Sequence, residues 1–323
     1  MNKTIKRFLK AIFPFSYYRF SVFSIEKKFK KSIQNKENAI VKRYEDKFGE
    51  ILDLKNPKTF YEKINYLKLY FDKDVKYLVD KLLVKEYLRT NYPYIVFAKT
   101  LLVFNSYNDF KKSVLTKKIP DPCVIKLNHT SGDIFIYKNG KWIDKYGYRI
   151  NKRCVLACIK YRLNLNFYHA QFEKVYDGIT PKVFAEEYLE SLSSNGGLDE
   201  YKFFCNYGIP RMINVVYGRQ KKEDVKEAFL DCKLKPFPIN QGQTLLKQEE
   251  IYKPNCFKEM FNFASLISKE FPILRVDLFA NNNSFIFCEI TFYDLAGNGF
   301  FYPKEYNKII GNLFELKEQT NED

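Results

Sequence analysis

Histidine is almost missing from this chain, with His129 and His169 the only two among 323 residues. That scarcity excludes a histidine-built metal centre and any covalent mechanism that relies on several imidazoles. The seven cysteines (Cys123, Cys154, Cys158, Cys205, Cys232, Cys256, Cys288) are odd in number and lack the spacing of a compact staple, so they read as reduced thiols. Cys154 and Cys158 stand four apart, yet no histidine pair completes a zinc quartet with them. Cys123, Cys205 and Cys288 lie in apolar runs, where a buried, inert thiol is the usual outcome. No apolar stretch approaches the roughly 18 residues that a spanning helix needs. The segment Ala11-Ile-Phe-Pro-Phe-Ser-Tyr-Tyr18 is short, interrupted by Pro14 and without a small-residue cleavage site, which argues against a cleaved secretory signal. Internal repeats and low-complexity tracts are absent as well.

What the chain does have is apolar bulk and positive charge. Hydrophobic residues make up 46% and aromatics 18%, which excludes a disordered or fibrous chain, and the length suits two or three subdomains. The net charge of +16 asks for an anionic partner, whether nucleic acid, a membrane surface, a phosphorylated substrate or an acidic polymer. The first 43 residues carry twelve Lys/Arg against Glu26 and Glu37, leaving an excess of only six over the other 280. Within them Ile5, Phe8, Leu9, Ile12 and Phe13 recur at helical spacing opposite Lys3, Lys6, Arg7 and Lys10, and Phe15, Tyr17, Tyr18, Phe20 and Phe23 follow. A basic amphipathic helix with aromatics over residues 1–31 suits an anionic membrane surface. A solvated arm, or a helix packed on its own domain, fits the same pattern.

Five stretches organise the chain: a basic arm (1–43), a helical region (44–120), a first mixed subdomain (121–190), a second (191–316) and a tail (317–323). In the helical region Thr59 and Glu62 make a capping box ahead of the stripe Phe60, Ile64, Leu67 and Phe71. Val75, Leu78, Val79, Leu82 and Leu83 mark a second helix that ends before Pro93. Strands begin at Pro122, with Cys123–Leu127 and Ile134–Tyr137 flanking the polar loop Asn128–Asp133 as a hairpin. Residues 151–172 read as helix, 181–189 as strand, and Ser191–Gly197 as a hinge loop. Strands at 201–205 and 211–217, a helix at 255–269 and a final strand pair at 274–280 and 284–292 complete the pattern.

The final pair carries the sharpest chemistry. A turn centred on Asn283 pairs position i with 566 − i, so Asp277 faces Glu289 and Arg275 faces Thr291. Val276, Leu278, Ile286, Cys288 and Ile290 then share the opposite, apolar face. Directly opposed residues have Cβ atoms about 5 Å apart, so two carboxylates meet, and a cation, a shared proton or an arginine must compensate. A hard divalent ion such as Mg²⁺, which bridges carboxylates and phosphates, resolves the conflict. A solvent-exposed hairpin face is the bland alternative. Leu295-Ala-Gly-Asn-Gly299 follows, with two glycines that either admit a ligand to the backbone or simply make turns. Upstream, Lys126 lies mid-strand among apolar neighbours, where an ammonium is costly unless it reaches an anion or the surface, and phosphate is the natural anion beside the Ser131-Gly132 loop. His129 is a candidate base or a packing residue, and Glu186-Glu187 either contacts a nucleoside or is a solvated acidic pair.

In order, Asn56–Tyr70, Leu78–Lys81, Val124–His129 with Ser131-Gly132, Ala185–Leu189, Tyr201–Cys205 and Phe271–Thr291 resemble the TupA-like family of ATP-grasp proteins, over about residues 45–315. The resemblance implies an α+β ATP-grasp fold in which two subdomains clamp ATP with magnesium. Carried over by position, Lys81 and Lys126 contact ATP phosphates, and Ser131 with Gly132 belongs to the phosphate lid beside His129. Glu186, Glu187, Tyr188 and Leu189 form the adenine hinge, with Glu186 as the adenine contact. Lys202, Arg219 and Arg275 act on the phosphates or the acyl intermediate, and Asp277, Glu289 and Thr291 hold magnesium. Here Glu289-Ile-Thr291 departs from the general Glu-x-Asn ending. Thr130 and Asp133 replace lid glycines, and Glu200 replaces the Asp that usually precedes the Tyr-Lys pair.

The implied activity is ATP-dependent ligation of a carboxylate to an amine through an acyl phosphate, on a uronic-acid-containing surface or capsular polysaccharide or its precursor. The expected partners are ATP, an anionic sugar or polysaccharide acceptor, an amine donor and the inner face of the bacterial cytoplasmic membrane. A glycosyltransferase or sugar kinase of capsular polysaccharide synthesis is the first alternative, and a nucleic-acid-binding module using the basic arm the second. Residues 44–323 carry almost no charged, aromatic groove motif, so no nucleic acid is expected.

Overall fold

The computed structural model describes residues 3–190, 198–218, 222–280 and 283–317. The hinge loop 191–197, Arg219, the turn residues Asn281 and Asn282, the tail 318–323 and the side chains of Lys3, Ile5, Lys6 and Arg7 lie outside the described residues. In chain order the helices are α1 (Lys3–Ile12), α2 (Pro14–Ser32), α3 (Lys36–Phe48), α4 (Phe60–Tyr70), α5 (Lys76–Val79), α6 (Leu83–Asn91), α7 (Tyr107–Leu115), α8 (Lys152–Arg162), α9 (Tyr168–Gln171), α10 (Phe257–Ile267) and α11 (Tyr306–Gly311). The strands are β1 (Thr100–Phe104), β2 (Cys123–Leu127), β3 (Ile134–Lys138), β4 (Lys141–Asp144), β5 (Arg149–Ile150), β6 (Val183–Glu187), β7 (Asp199–Asn206), β8 (Ile209–Tyr217), β9 (Lys226–Leu230), β10 (Thr244–Leu245), β11 (Leu274–Ala280) and β12 (Phe285–Thr291). Among the described residues no helix is long and apolar enough to cross a membrane.

Contacts divide the chain into one unit of Met1–Gln34, Asp74–Glu190 and Gln220–Lys222 and a second of Asn35–Lys73, Ser191–Arg219 and Glu223–Asp323. The expected boundaries at 43 and 120 are not boundaries of these units. The first part of the basic arm goes with the first unit, and the helical region is shared out between both.

The first unit is built on an antiparallel sheet ordered β1-β6-β2-β3-β4-β5. Alternation along β2 buries Cys123, Ile125 and Leu127 on one face, where they join Val155, Cys158 and Ile159 of α8 in a common core. Tyr18 of α2 belongs to that core, with Phe15 and Tyr17 packed against it. The second half of the basic arm is therefore a helix packed on its own unit. Glu26 reinforces the packing, its carboxylate 2.8 Å from Nδ1 of His169, whose ring stacks on Phe29. Residues 100–104, read from sequence as part of a helical region, form the edge strand β1. Their partner β6 lies 80 positions further on, and that long-range pairing overrides the local pattern. The helix expected through 75–83 is likewise two pieces. Asp80 ends α5 in an extended conformation, and its side chain accepts hydrogen bonds from the Leu82 and Leu83 amides ahead of α6.

The second unit is built on a sheet ordered β10-β9-β8-β7-β11-β12, antiparallel except for β9 with β10. One face is apolar: Phe203, Val276, Leu278 and Phe287 line up across the strands and pack against α10 through Phe257 and Phe263. The capping box forms as expected, with the Glu62 amide donating to Thr59 Oγ1 and the Thr59 amide to Glu62 Oε2. It launches α4, whose Phe60 and Ile64 are fully buried.

Candidate functional site

In the first unit the face of the sheet away from α8 carries a cluster of charges. Lys126 alternates with the core residues of β2, and Glu186 lies on the adjoining strand beside it. One Glu186 oxygen pairs with Lys126, and the other lies 3.0 Å from Nζ of Lys85. Lys85 also donates to the Ala98 carbonyl at 2.7 Å and reaches Thr100 Oγ1 at 3.3 Å. Burial pushes the Glu186 carboxyl up, but Lys126 and Lys85 outweigh it and hold the group below the usual carboxylate range. Two ammonium groups on one buried carboxylate leave a surplus positive charge on this face. Lys126, the costly mid-strand lysine, is thus accounted for.

Next to this cluster, Lys81 donates from Nζ to the Thr130 carbonyl at 2.6 Å and from its amide to the Asn128 carbonyl, so it holds the 128–133 loop. Ser131 and Gly132 are exposed on that loop, and Gly132 takes a positive φ of 85° that favours glycine. His129 is different. It is buried, with Nδ1 facing Asn128 Oδ1 and Nε2 facing the Arg162 carbonyl, and burial brings its pKa down to about 4. Burial thus favours the neutral ring of a packing residue, which donates to only one of the two oxygens it faces. Glu187, Tyr188 and Leu189 continue from Glu186 as partly exposed residues, with Lys138 placed over the Tyr188 ring.

The second unit carries an acidic face. A row of paired positions runs Glu289, Asp277, Lys202, Asn214 across β12, β11, β7 and β8, so these side chains share the face opposite α10. The pairing expected from the turn holds for Arg275 with Thr291 and Asp277 with Glu289. Nearer the turn it slips by one, because Cys288 is bulged out and Leu278 pairs with Phe287. The slip moves Ile286 to the acidic face, opposite Phe279, which corrects its expected place on the apolar side.

Arg275 supplies the compensation that the carboxylate pair requires. Its Nε and Nη2 donate to the two oxygens of fully buried Asp277 at 2.7 Å each, Nη1 bonds Asp294, and Nη2 lies 3.6 Å from Glu289. Burial disfavours the guanidinium charge, yet Asp277 and Asp294 outweigh it and raise the Arg275 pKa above its ordinary value. Lys202 stands 3.5 Å from Glu200 and 4.0 Å from Asp277. Asp294 also accepts from the Tyr61 hydroxyl at 2.7 Å, and Gln241 bonds that hydroxyl. Glu227 on β9 accepts from the Gln241 amide, and burial pushes its carboxyl up. The glycines of the following loop serve packing: a Cβ on Gly297 would meet Asn65, and one on Gly299 would meet Tyr61.

Sequence reasoning missed Lys85, Tyr61, Glu227 and Asp294. Lys85 was within reach, one helical turn beyond Lys81. The other three become visible only once distant segments meet. Asp277 and Glu289 offer hard carboxylate oxygens, the donor type that magnesium takes, with a Thr291 hydroxyl one pair away on the same face. Among the described residues no group of three or more His, Cys, Asp or Glu is arranged to hold a metal alone.

Among solved structures the chain is similar to D-alanine–D-alanine ligase from Helicobacter pylori, at 15% identity and a TM-score of 0.36, over 73% of this chain and 57% of that one. It is similar to the D-alanine–D-alanine ligase from Bacillus anthracis complexed with ATP, at 17% identity and 0.33, over 67% and 55%. It is similar too to the macrocyclase MdnC from Microcystis aeruginosa, bound with precursor peptide MdnA, at 13% and 0.32, over 75% and 61%. The chain spans about half the length of the solved structures it matches. No curated protein matches the sequence. A family model, TupA-like ATP-grasp, matches residues 62–315, which is most of the chain and spans both sheets. The α+β architecture is that of an ATP-grasp protein, and the chain belongs to the TupA-like ATP-grasp family.

Proposed function

We propose that this protein is an ATP- and magnesium-dependent ligase that joins a carboxylate to an amine. The observation that carries the reading is the Glu289–Asp277–Lys202 row, with Arg275 bound to both oxygens of Asp277, on one sheet face of an ATP-grasp protein. In the proposed reaction the substrate carboxylate attacks the γ-phosphorus of ATP and ADP leaves. The amine nitrogen then attacks the acyl carbon, phosphate leaves, and the amine gives up a proton as the amide forms. Asp277 and Glu289 would hold magnesium, with Thr291 beside them, and the ion supplies charge neutralisation between phosphate oxygens.

The remaining steps belong to side chains of this chain. Lys202, already near two carboxylates, neutralises charge on the transferring phosphoryl group, and Arg275 orients Asp277 while its guanidinium stabilises negative oxygen. Arg219 is assigned to the same task by its position in the family pattern. Lys81, Lys126 and the exposed Ser131-Gly132 amides bind phosphates, and Glu186 through Leu189 receive the adenine. Lys85 and Lys126 keep Glu186 ionised and therefore an acceptor for the adenine amino group.

The acceptor in this reading is a uronic-acid-containing polysaccharide or its precursor. The reading sets this work at the inner face of the cytoplasmic membrane, and the exposed Phe8, Phe13, Phe20 and Phe23 in the most basic part of the chain support it. The test incubates the protein with MgATP, a uronate and a pool of amines while ADP and product mass are followed. ADP release that requires both the uronate and an amine, with one water lost in the product, is the expected result. Transfer from a nucleotide sugar without ATP would overturn the reading in favour of a glycosyltransferase.

A further inference from the structure

A cavity of about 570 Å³ opens in the first unit between α5, α6, the edge strand β1 and the segment 178–182. That is the size of a small-molecule site, and through Lys85 and Thr100 its wall adjoins Glu186. Aliphatic side chains share its lining with four cations, Lys76, Lys85, Arg89 and Lys182, and two acids, Asp80 and Glu86.

Lys76 is paired with Asp74 at 3.1 Å, which leaves Lys85, Arg89 and Lys182 against the two acids. Asp80 is spent on structure, with Oδ1 accepting from the Leu82 and Leu83 amides and Oδ2 from Asn128 Nδ2. Lys85 shares Glu186 with Lys126, so that trio keeps a net positive charge. Arg89 stacks over Phe97 at 5.0 Å, and neither Arg89 nor Lys182 has an ion-pair partner among the described residues. Burial lowers the Lys85 pKa, and the charges of Lys126 and Arg89 push it the same way, as expected where cations converge on one space.

Gly178 and Lys182 form part of the cavity wall. Gly178 adopts a φ of +74°, and a Cβ there would stand 4.0 Å from the Lys76 ammonium. Lys182 is fixed to the phosphate-side loop: its amide donates to Asn128 Oδ1 at 2.6 Å, and the Asn128 amide donates to its carbonyl. The same loop is held by Lys81. The cavity therefore adjoins the segment assigned to phosphate through Lys182.

We propose that this cavity binds the carboxylate substrate, with Arg89 and Lys182 as its anion-recognising groups. The proposal rests on the ligase reading, because it supplies that reaction's acidic partner. Arg89 offers a planar fork that matches a carboxylate, and Lys182 a point charge on the opposite wall.

The test measures binding of glucuronate, with glucose as uncharged control, to the full chain by calorimetry without nucleotide. MgATP binding is titrated separately. Wild type should bind glucuronate and not glucose. Lys182→Ala and Arg89→Ala should each weaken glucuronate by about tenfold or more, the scale of one hydrogen bond to a charged group. Arg89→Lys should retain part of the affinity, and MgATP binding should stay within about twofold of wild type in every variant. Inorganic phosphate competing with glucuronate would support a general anion site in the same cavity. Equal affinity for glucuronate and glucose, or variants that bind glucuronate like wild type, would overturn the inference while MgATP titration still reports on the nucleotide site. Normal binding of both ligands with no amide formed under any amine would count against the ligase reading and leave the anion cavity standing.

Discussion

Asp277 has no exposed surface and both of its oxygens are taken by Arg275, whereas Glu289 is partly exposed and only near that guanidinium. The two carboxylates of the pair should therefore respond differently to neutralisation. Glu289→Gln removes a charge without stranding a buried partner, so kcat should fall roughly 100-fold or more with little change in thermal unfolding. Asp277→Asn should abolish turnover too, but it also weakens the buried arginine's charge-assisted bonds and should cost about 1–3 kcal/mol of stability. Steady-state kinetics beside thermal denaturation separate these effects. Wild-type turnover in Glu289→Gln would mean that the pair is structural. The pair itself was legible because a short turn and alternating strands fix which residues face each other. Its compensation was only half legible. Arg275 stood two residues away on the same face, but Asp294, Tyr61 and Gln241 enter through loops and a helix that no local pattern ties to the hairpin.

Individual elements show the same division between local and distant causes. The capping box of α4 and the β2–β3 hairpin follow from residues three to fourteen apart, and both form as the sequence demands. The bulge at Cys288 and the edge strand β1 depend on partners that a single segment does not contain. Helix α2 is the instructive case. Its basic, aromatic composition suits a membrane surface, yet Tyr18 is in the core of the first unit and Glu26 engages His169. One side of the helix is committed to packing, while Phe20 and Phe23, 71% and 61% exposed, are left on another. Membrane affinity should thus be tested by substitution rather than by deletion, which would uncover core residues. The double change Phe20→Glu and Phe23→Glu should reduce partitioning into anionic vesicles roughly tenfold or more, by removing two apolar contacts and adding two like charges. Sedimentation with phosphatidylserine vesicles measures it, and unchanged partitioning would assign the exposed phenylalanines elsewhere.

Across the whole molecule, charge and chemistry are segregated. The excess of positive charge is concentrated in the first 43 residues, while the two sheets carry opposite local balances: surplus cations around Glu186 in the first unit, surplus carboxylates around Arg275 in the second. Polyphosphate is the complementary ligand for the first face and a hard cation for the second, which is the division of labour that the proposed ligase reaction requires. The order of motifs along the chain made the ATP-grasp fold legible, because each motif carries one part of that division. The grouping of residues into units was not legible, since residues 35–73 join the second unit across more than a hundred intervening positions. The central claim is that a carboxylate is activated by transfer of phosphate to one of its own oxygens. It is tested most directly by supplying a uronate with ¹⁸O in its carboxylate, together with MgATP and an amine, and analysing the released phosphate by mass spectrometry. One ¹⁸O atom per phosphate is the result predicted here. Amide product accompanied by phosphate without ¹⁸O would contradict it.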